Sequence, residues 1–395
     1  MSTQMPAWQQ NSTWRTWLAV VVLGLCSFAI VTTELAPIGL LSPLAAEFGQ
    51  SEGTAGLIVT AYAWVAALAA LLSATFLGRL ARKPLLVGLM LILALSSGIA
   101  SAGADFSTLL GARVIGALAH GAFWAMIGSI GAQLVPAHRI GLATSIIFAG
   151  VSVASVLGIP LANLLTQLDG WRTAFEVIAA LSLLAGVAIA GTLPRLPAPP
   201  ALGLAALGQV LKNPVFLRIY LATACAIMAH FAAFTFIEPL LSGALNVPAR
   251  MIGLLLLVFG VAGIAGNFIS ARLIDRHLKP LLLVSLAGMA LCVLILSGLP
   301  ASTSALWIGS LLAGWGLSVA IVFVGFQAWI LREAGQAAMP ASAIYVAIFN
   351  AAIGAGALVG SVLLSITSLH GLLLIATTAM AGSLLPVALL KSPAR

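Results

Sequence analysis

Charge is what this sequence has least of. Of its 395 residues nine are acidic and seventeen basic, 7% in all, where soluble globular chains carry about a quarter. With 62% hydrophobic residues and a mean hydropathy of +1.17, this scarcity excludes a soluble domain and points to a chain that crosses a bilayer many times. Cysteine is nearly missing too. Cys26, Cys225 and Cys292 all lie inside apolar runs, which argues against a disulfide framework or a soluble metal site. The short alternation of barrel strands is absent, because the apolar runs continue for about twenty residues or more, so the spans are helical. Enzymatic motifs are lacking as well: there is no H-E-x-x-H, Walker loop or C-x-x-C. Gly150-Val151-Ser152-Val153-Ala154 misses the last Gly of a nucleophile elbow and falls in an apolar helix. We therefore expect no enzyme, no cofactor and no metal. The net charge of +8 is scattered over short loops without a patch, which speaks against nucleic acid. The polar start, Met1 to Thr13, leads into a run too long for a signal-peptide core, so no cleavage is expected.

What is there is a series of twelve apolar runs, at 17–41, 54–77, 84–104, 107–134, 140–166, 172–193, 215–241, 251–271, 280–300, 304–331, 340–368 and 371–390. Short connections imply antiparallel neighbours. The exception is Pro194 to Pro214, with Pro197, Pro199 and Pro200 ahead of an amphipathic-looking Leu202 to Lys212. The reading is an all-α polytopic membrane protein of two six-helix pseudo-symmetric bundles, 1–193 and 215–395, joined by a connector at 194–214. Fourteen of the seventeen basic residues fall in the loops and tails on one side, including Arg79, Arg82, Lys83, Arg139, Arg272, Arg276, Lys279 and Arg332. Positive charge marks the cytoplasmic side, so both termini are expected inside. Gly78-Arg79-Leu80-Ala81-Arg82-Lys83-Pro84 after the second run is echoed by Ala271-Arg272-Leu273-Ile274-Asp275-Arg276 and Lys279-Pro280 after the eighth, a parallel repeat at about 200 residues. Duplicated halves with a site at the midplane between them are a transporter pattern.

The repeat also places two carboxylates deep in apolar runs. Glu34, in Thr32-Thr33-Glu34-Leu35-Ala36-Pro37, recurs as Glu238 in Thr235-Phe236-Ile237-Glu238-Pro239. A charge at that depth costs about 2.5–3.5 kcal/mol on insertion scales and faces a cavity or a partner. Pro37 crowds the carbonyl of Thr33 and opens the backbone beside the acid. Glu34, Arg113 and Glu238 are read as the proton-coupling groups, the alternative for Glu34 being an acid capped by the threonine hydroxyls beside a wet cleft.

The other polar residues at mid-depth form the candidate site. Arg113 and His120 share a face of the fourth run, followed by Trp124, and His230 and Glu238 share one of the seventh with Phe234 between them. Gln327, Tyr345 and Asn350 complete the set. Histidine titrates near neutrality and also hydrogen-bonds hydroxyls, while Trp124 suits the flat face of a sugar or a drug. For each residue the alternative is a helix–helix contact without ligand. His120, His230 and Asn350 are expected to converge on one cavity with Trp124 at its wall. Gly354, Gly356 and Gly360 make a small-residue surface for close helix packing, and Gly158 with Pro160 bends the fifth run.

These residues resemble the major facilitator superfamily, in its drug:proton antiporter branch, and more narrowly bacterial sugar efflux transporters of the SotB type. The resemblance spans the whole chain, through Thr32-Thr33-Glu34, Arg113-Val114-Ile115-Gly116 with His120-Gly121-Ala122-Phe123-Trp124, Gly158-Ile159-Pro160-Leu161, Trp171-Arg172-Thr173-Ala174-Phe175, and Phe349-Asn350 with Gly354 to Gly360. It implies a coupling acid at Glu34, the span-four arginine motif at Arg113 and the antiporter motif around Gly158 and Pro160. The inner-loop motif is partial, since Ala81 is followed directly by Arg82-Lys83 with no Asp, whereas the second copy keeps Asp275. The expectation is a monomeric proton-coupled antiporter in a bacterial inner membrane. It would export sugars or sugar-like solutes by alternating access, with protons, a small molecule and lipid as its partners. The alternatives are a broad drug exporter of the same branch and, in a different class, a non-transporting receptor or scaffold.

Overall fold

A computed structural model describes residues 14–77, 80–136, 139–196 and 204–390. Met1 to Thr13, Gly78 and Arg79 of the first loop motif, Pro197, Pro199, Pro200 and Leu202 of the connector, and Lys391 and Arg395 lie outside them. Among the described residues there are helices and no strand. Spans 1 to 6 are Trp14–Leu35, Glu52–Phe76, Arg82–Ala102, Phe106–Leu134, Ile140–Asp169 and Trp171–Thr192. Span 7 is Pro214–Phe234, span 10 Ala305–Ala334, span 11 Ala338–Ile366, and span 12 Leu369–Gly382 continued by Leu384–Leu389.

Spans 8 and 9 are two helices that meet at a kink within the 49-residue stretch Ala249–Ser297. At 1.5 Å per residue it runs to about 74 Å, more than twice the roughly 30 Å hydrocarbon core, so it crosses twice. The turn is at His277, whose backbone leaves helical geometry (φ −132°, ψ 33°) three residues before Pro280. Among the described residues, the eleven helices long and apolar enough to cross a membrane therefore make twelve crossings.

Side-chain caps fix several starts. Ser51 accepts from Thr54 N–H, Asp105 from Thr108 N–H, Asn213 from Val215 N–H ahead of Pro214, and Ser368 from Gly371 N–H. Two runs read as single helices are broken near their ends. Span 1 stops at Leu35, passes through a tight turn at Ala36–Gly39 and resumes as Leu41–Glu47. Span 7 stops at Phe234, makes one turn at Ile237–Pro239 and widens at Leu240–Ala244. Pro37 and Pro239 lack the N–H that an unbroken helix would use. The connector contributes a short helix, Leu204–Lys212.

An even number of crossings puts the first and last described helices' outer ends, Trp14 and Leu389, on one side, and we call the opposite end distal. The first six and last six spans meet from the distal end to mid-depth. Ser361 Oγ donates to Gly53 O, Gln167 Nε2 to Ala249 O (2.6 Å), Ser42 N–H to Glu238 Oε2 (2.9 Å) and Trp64 Nε1 to Ala351 O (3.1 Å). Close approach here depends on glycine. A Cβ on Gly260 of span 8 would collide with Val156 of span 5. Within the second half, one on Gly356 would run into Met228 O of span 7. In lipid, where hydrophobic driving force between helices is weak, such backbone packing and hydrogen bonds hold spans together.

Candidate functional site

In the first half, glycines bring three spans around Glu34. Gly24 and Gly150 let spans 1 and 5 touch backbone to backbone, and further along a Cβ on Gly158 would stand 3.4 Å from Thr32. Gly121 of span 4 abuts Ala66 O of span 2, which sets Tyr62 beside His120 with ring centroids 5.3 Å apart. On this frame His120 Nε2 stands 3.7 Å from Glu34 Oε2, beyond hydrogen-bond length, and Glu34 Oε1 has no hydrogen-bond partner. The adjacent Thr33 hydroxyl is spent on Ala29 O at 2.7 Å, so it does not cap the acid. Arg113 is 1% exposed, with its guanidinium 4.0 Å from the centre of the Tyr62 ring and Nε and Nη2 unpartnered. A buried cation needs compensation. Here it has the ring face and the Glu34 carboxylate within electrostatic reach. Trp124 packs 6.2 Å from His120 and 5.8 Å from Phe148.

The second half holds a different cluster. His230 is 2% exposed, and its Nδ1 accepts the indole N–H of Trp315 at 3.1 Å, which places the imidazole proton of the neutral ring on Nε2. Phe234 stacks on it at 5.0 Å, with Phe231 and Phe323 edge-on at 4.8 and 5.7 Å. Tyr345 donates its hydroxyl to Phe323 O at 3.3 Å, and Gln327 lies half-buried one turn beyond Phe323. Asn350 is 6% exposed. Its Nδ2 is tied to Val346 O at 2.9 Å, leaving Oδ1 unpartnered. Pro160 offers its carbonyl 3.6 Å from where a Gly253 side chain would be, and Gly354 lies against the Trp64 indole. Gly356 and Gly360 face the span 7 backbone.

The structure thus brings Glu34, Arg113, His120 and Trp124 together, and separately gathers His230, Phe234 and Tyr345. Among the described residues no hydrogen bond or ring contact joins His120 to His230. Glu238 belongs to neither cluster and sits in the distal contact between the halves. Tyr62 and Trp315, which organise the two clusters, were missed from sequence. A tyrosine and a tryptophan in the middle of apolar runs were the available signals. The loop comparison also resolves on one side. Asp275 of the second copy pairs with Arg332 at 2.5 Å, joining the ends of spans 8 and 10.

The chain matches the family model described as Major Facilitator Superfamily over residues 16–339 and again over 220–395. Its backbone is similar to a bacterial homologue of the human lysosomal transporter Spinster in an inward-facing, unoccupied conformation (14% identity, 96% of each chain, TM-score 0.71). It is also similar to the nucleoside transporter NupG (13% identity, 95% of this chain and 100% of that one, TM-score 0.76). A third similar structure is the human organic anion transporter MFSD10 (18% identity, 95% and 99% covered, TM-score 0.70). At these identities the structural likeness speaks for the fold, and the family match covers nearly the whole chain. The chain therefore belongs to the major facilitator superfamily and is a membrane transporter.

Proposed function

We propose that this transporter is a proton-coupled antiporter of the drug:proton branch, exporting sugars or sugar-like small solutes from the cytoplasm of a bacterium. The observation that carries the reading is the Glu34 cluster. It is an acid at a helix break, one oxygen unpartnered and the other 3.7 Å from a buried imidazole, with a buried guanidinium in reach. Ionised, the carboxylate offsets Arg113. Protonated, it releases that cation and offers a hydroxyl donor. The gap between Glu34 and His120 is too long for a hydrogen bond, and with Oε1 unpartnered the carboxylate keeps acceptor capacity for a substrate hydroxyl. Proton and substrate then compete for one set of groups, which is what exchange requires. The basic residues put both termini in the cytoplasm, so the distal seal closes the outer side and the bundle receives substrate from within. Arg113, His120 and Trp124 line the first-half side of the route. His230, Phe234, Gln327, Tyr345 and Asn350 line the second, with Gly158, Pro160, Gly354, Gly356 and Gly360 as the packing on which the halves rock.

A second reading, a broad drug exporter, is favoured by one observation, the ring cluster around His230. Thermal-shift binding of a panel of sugars, thiogalactosides and lipophilic cations to the purified protein separates the two. Coupling is tested in liposomes with a ligand from that panel. Glu34→Gln is expected to abolish export driven by an imposed pH gradient while the protein stays folded. Wild-type rates in the variant would remove Glu34 as the coupling group.

A further inference from the structure

The distal contact between the halves contains one ionisable side chain among its hydrogen bonds at the described residues. The other bonds run to backbone carbonyls of Gly53, Ala249 and Ala351, which do not titrate. Glu238 is 3% exposed and accepts the backbone N–H of Ser42 at 2.9 Å across the interface. The Ser42 hydroxyl in turn donates to Glu52 Oε1 at 2.9 Å, so one serine is held by two carboxylates, one from each half. We propose that Glu238 is a proton-operated clasp that sets whether the distal end is shut, at a place separate from the Glu34 cluster.

The direction follows from what surrounds the carboxylate. Glu52, half-buried on span 2, acts on it through Ser42 and repels a second negative charge. On the helix Leu41–Glu47 the titratable group is Glu47, engaged by Arg172 at 2.7 Å. Ala36–Gly39 and Leu240–Ala244 carry none, and Ser242 gives its hydroxyl to the Glu238 backbone carbonyl while standing, like the Ser42 hydroxyl, within reach of the acid. No cation therefore faces Glu238 among these elements. Burying an ionised carboxylate costs more than the Ser42 N–H and the two serine hydroxyls return, so burial outweighs these bonds. The shut state accordingly favours the protonated acid, which still accepts from Ser42 through its carbonyl oxygen. When the halves part at this end, water reaches Glu238 and the ionised form becomes the stable one. Acid on the distal side therefore shuts the seal, and alkali loosens it. Because Glu238 lies within the seal itself, it reads protons from the distal side and does not carry them across. It regulates the resting conformation independently of the substrate and coupling acid proposed above.

The test uses nitroxide labels at Gln50 and Thr367, exposed on opposite halves at the distal end, in the cysteine-free full chain in lipid nanodiscs without substrate. Pulsed electron–electron distance measurement reads the shut and open populations. In wild type the shut-to-open ratio should rise as pH falls from about 8 to about 5, by about tenfold for each unit by which shutting raises the proton affinity of Glu238. Glu238→Gln, near-isosteric and neutral, should be mostly shut at every pH. Glu52→Gln should keep the response with its midpoint moved to lower pH. It also serves as the decisive variant if Glu238→Gln does not fold. Glu34→Gln should respond like wild type, so that failure of the coupling proposal and failure of this one are distinguishable. A wild type without pH response, an unaltered response in Glu238→Gln, or an unmoved midpoint in Glu52→Gln would overturn the clasp.

Discussion

Trp64→Phe isolates one hydrogen bond that exists only while the halves are together. The Trp64 indole donates to Ala351 O at 3.1 Å from a position midway along span 2, with its ring against Gly354. Phenylalanine keeps a ring on Gly354 and removes the donor. Ala351 lies in the middle of span 11, so its carbonyl also serves the helix ladder and is not orphaned by the change. The loss is then that of a single interhelical bond in a membrane, about 0.6 kcal/mol on average and up to about 1.7. A loss near 1 kcal/mol lowers the ratio of distally shut to distally open molecules about fivefold. The readout is a cysteine at Thr60, which is 4% exposed and whose carbonyl faces Gly354 between the halves. In right-side-out vesicles, an impermeant maleimide added outside should label Thr60→Cys about fivefold faster when Trp64 is Phe, in proportion to the open population. Trp307→Phe, on the exposed face of span 10, should leave the rate alone. Equal rates with and without the indole at 64, or the same acceleration from the Trp307 control, would refute the claim that this bond holds the distal end shut.

Two further outcomes follow from packing and capping. Gly356→Leu should cost about 1–3 kcal/mol through overpacking and lower the detergent melting temperature. Its Cβ would meet Met228 O and stand 3.0 Å from Ala232 N, while Gly111→Leu, with nothing within 4 Å, should be silent. Asp105, outside the spans, is held below the ordinary carboxylate range by the Thr108 backbone N–H and hydroxyl. Its folded pKa being depressed, its contribution is present above about pH 3.9, the unfolded value, and is lost as pH falls through the lower folded one. Asp105→Ala should therefore melt earlier at neutral pH, and the difference should vanish in acid.

The fold was legible because lipid leaves the chain few choices. Runs of about twenty apolar residues become helices, and twelve of them were visible with their breaks at charged or Pro-containing loops. Pro37 and Pro239 announced the two helix breaks, and the reason was local, a missing donor. The division between spans 8 and 9 was readable from the basic stretch Arg272 to Lys279, whereas the tightness of the join, a kink at His277, was not. That Arg113, His120 and Trp124 share one helix face was readable from their spacing, whereas the approach of Glu34 from span 1 was not. The distal seal was hidden for a physical reason. Its acceptors are carbonyls of Gly53, Ala249 and Ala351, and backbone groups have no letter in the sequence. The different partners of His120 and His230 were equally hidden. Both lie on polar faces of apolar helices, and only the Trp315 indole, three spans away from His230, decides that one of them is tied up in a ring cluster.

Asn350 tests which class of solute the route prefers. Sugars are neutral and present several hydroxyls, so they need donors and acceptors at fixed places. Lipophilic cations need a wide ring-lined space and a carboxylate. Asn350 has committed one amide N–H to Val346 O at 2.9 Å, and its buried Oδ1 is unpartnered, so it offers a ligand hydroxyl a free acceptor. Leaving that hydroxyl unpaired costs roughly 1–3 kcal/mol. Asn350→Ala should therefore weaken a sugar-like ligand about tenfold or more and barely change a lipophilic cation, which has no hydroxyl to donate. Isothermal titration of both ligands on the same preparation gives the comparison. An equal loss for both would mean that Asn350 serves to pack span 11, and no loss for either would move the substrate reading to the drug exporter, whose binding energy would come from the rings around His230.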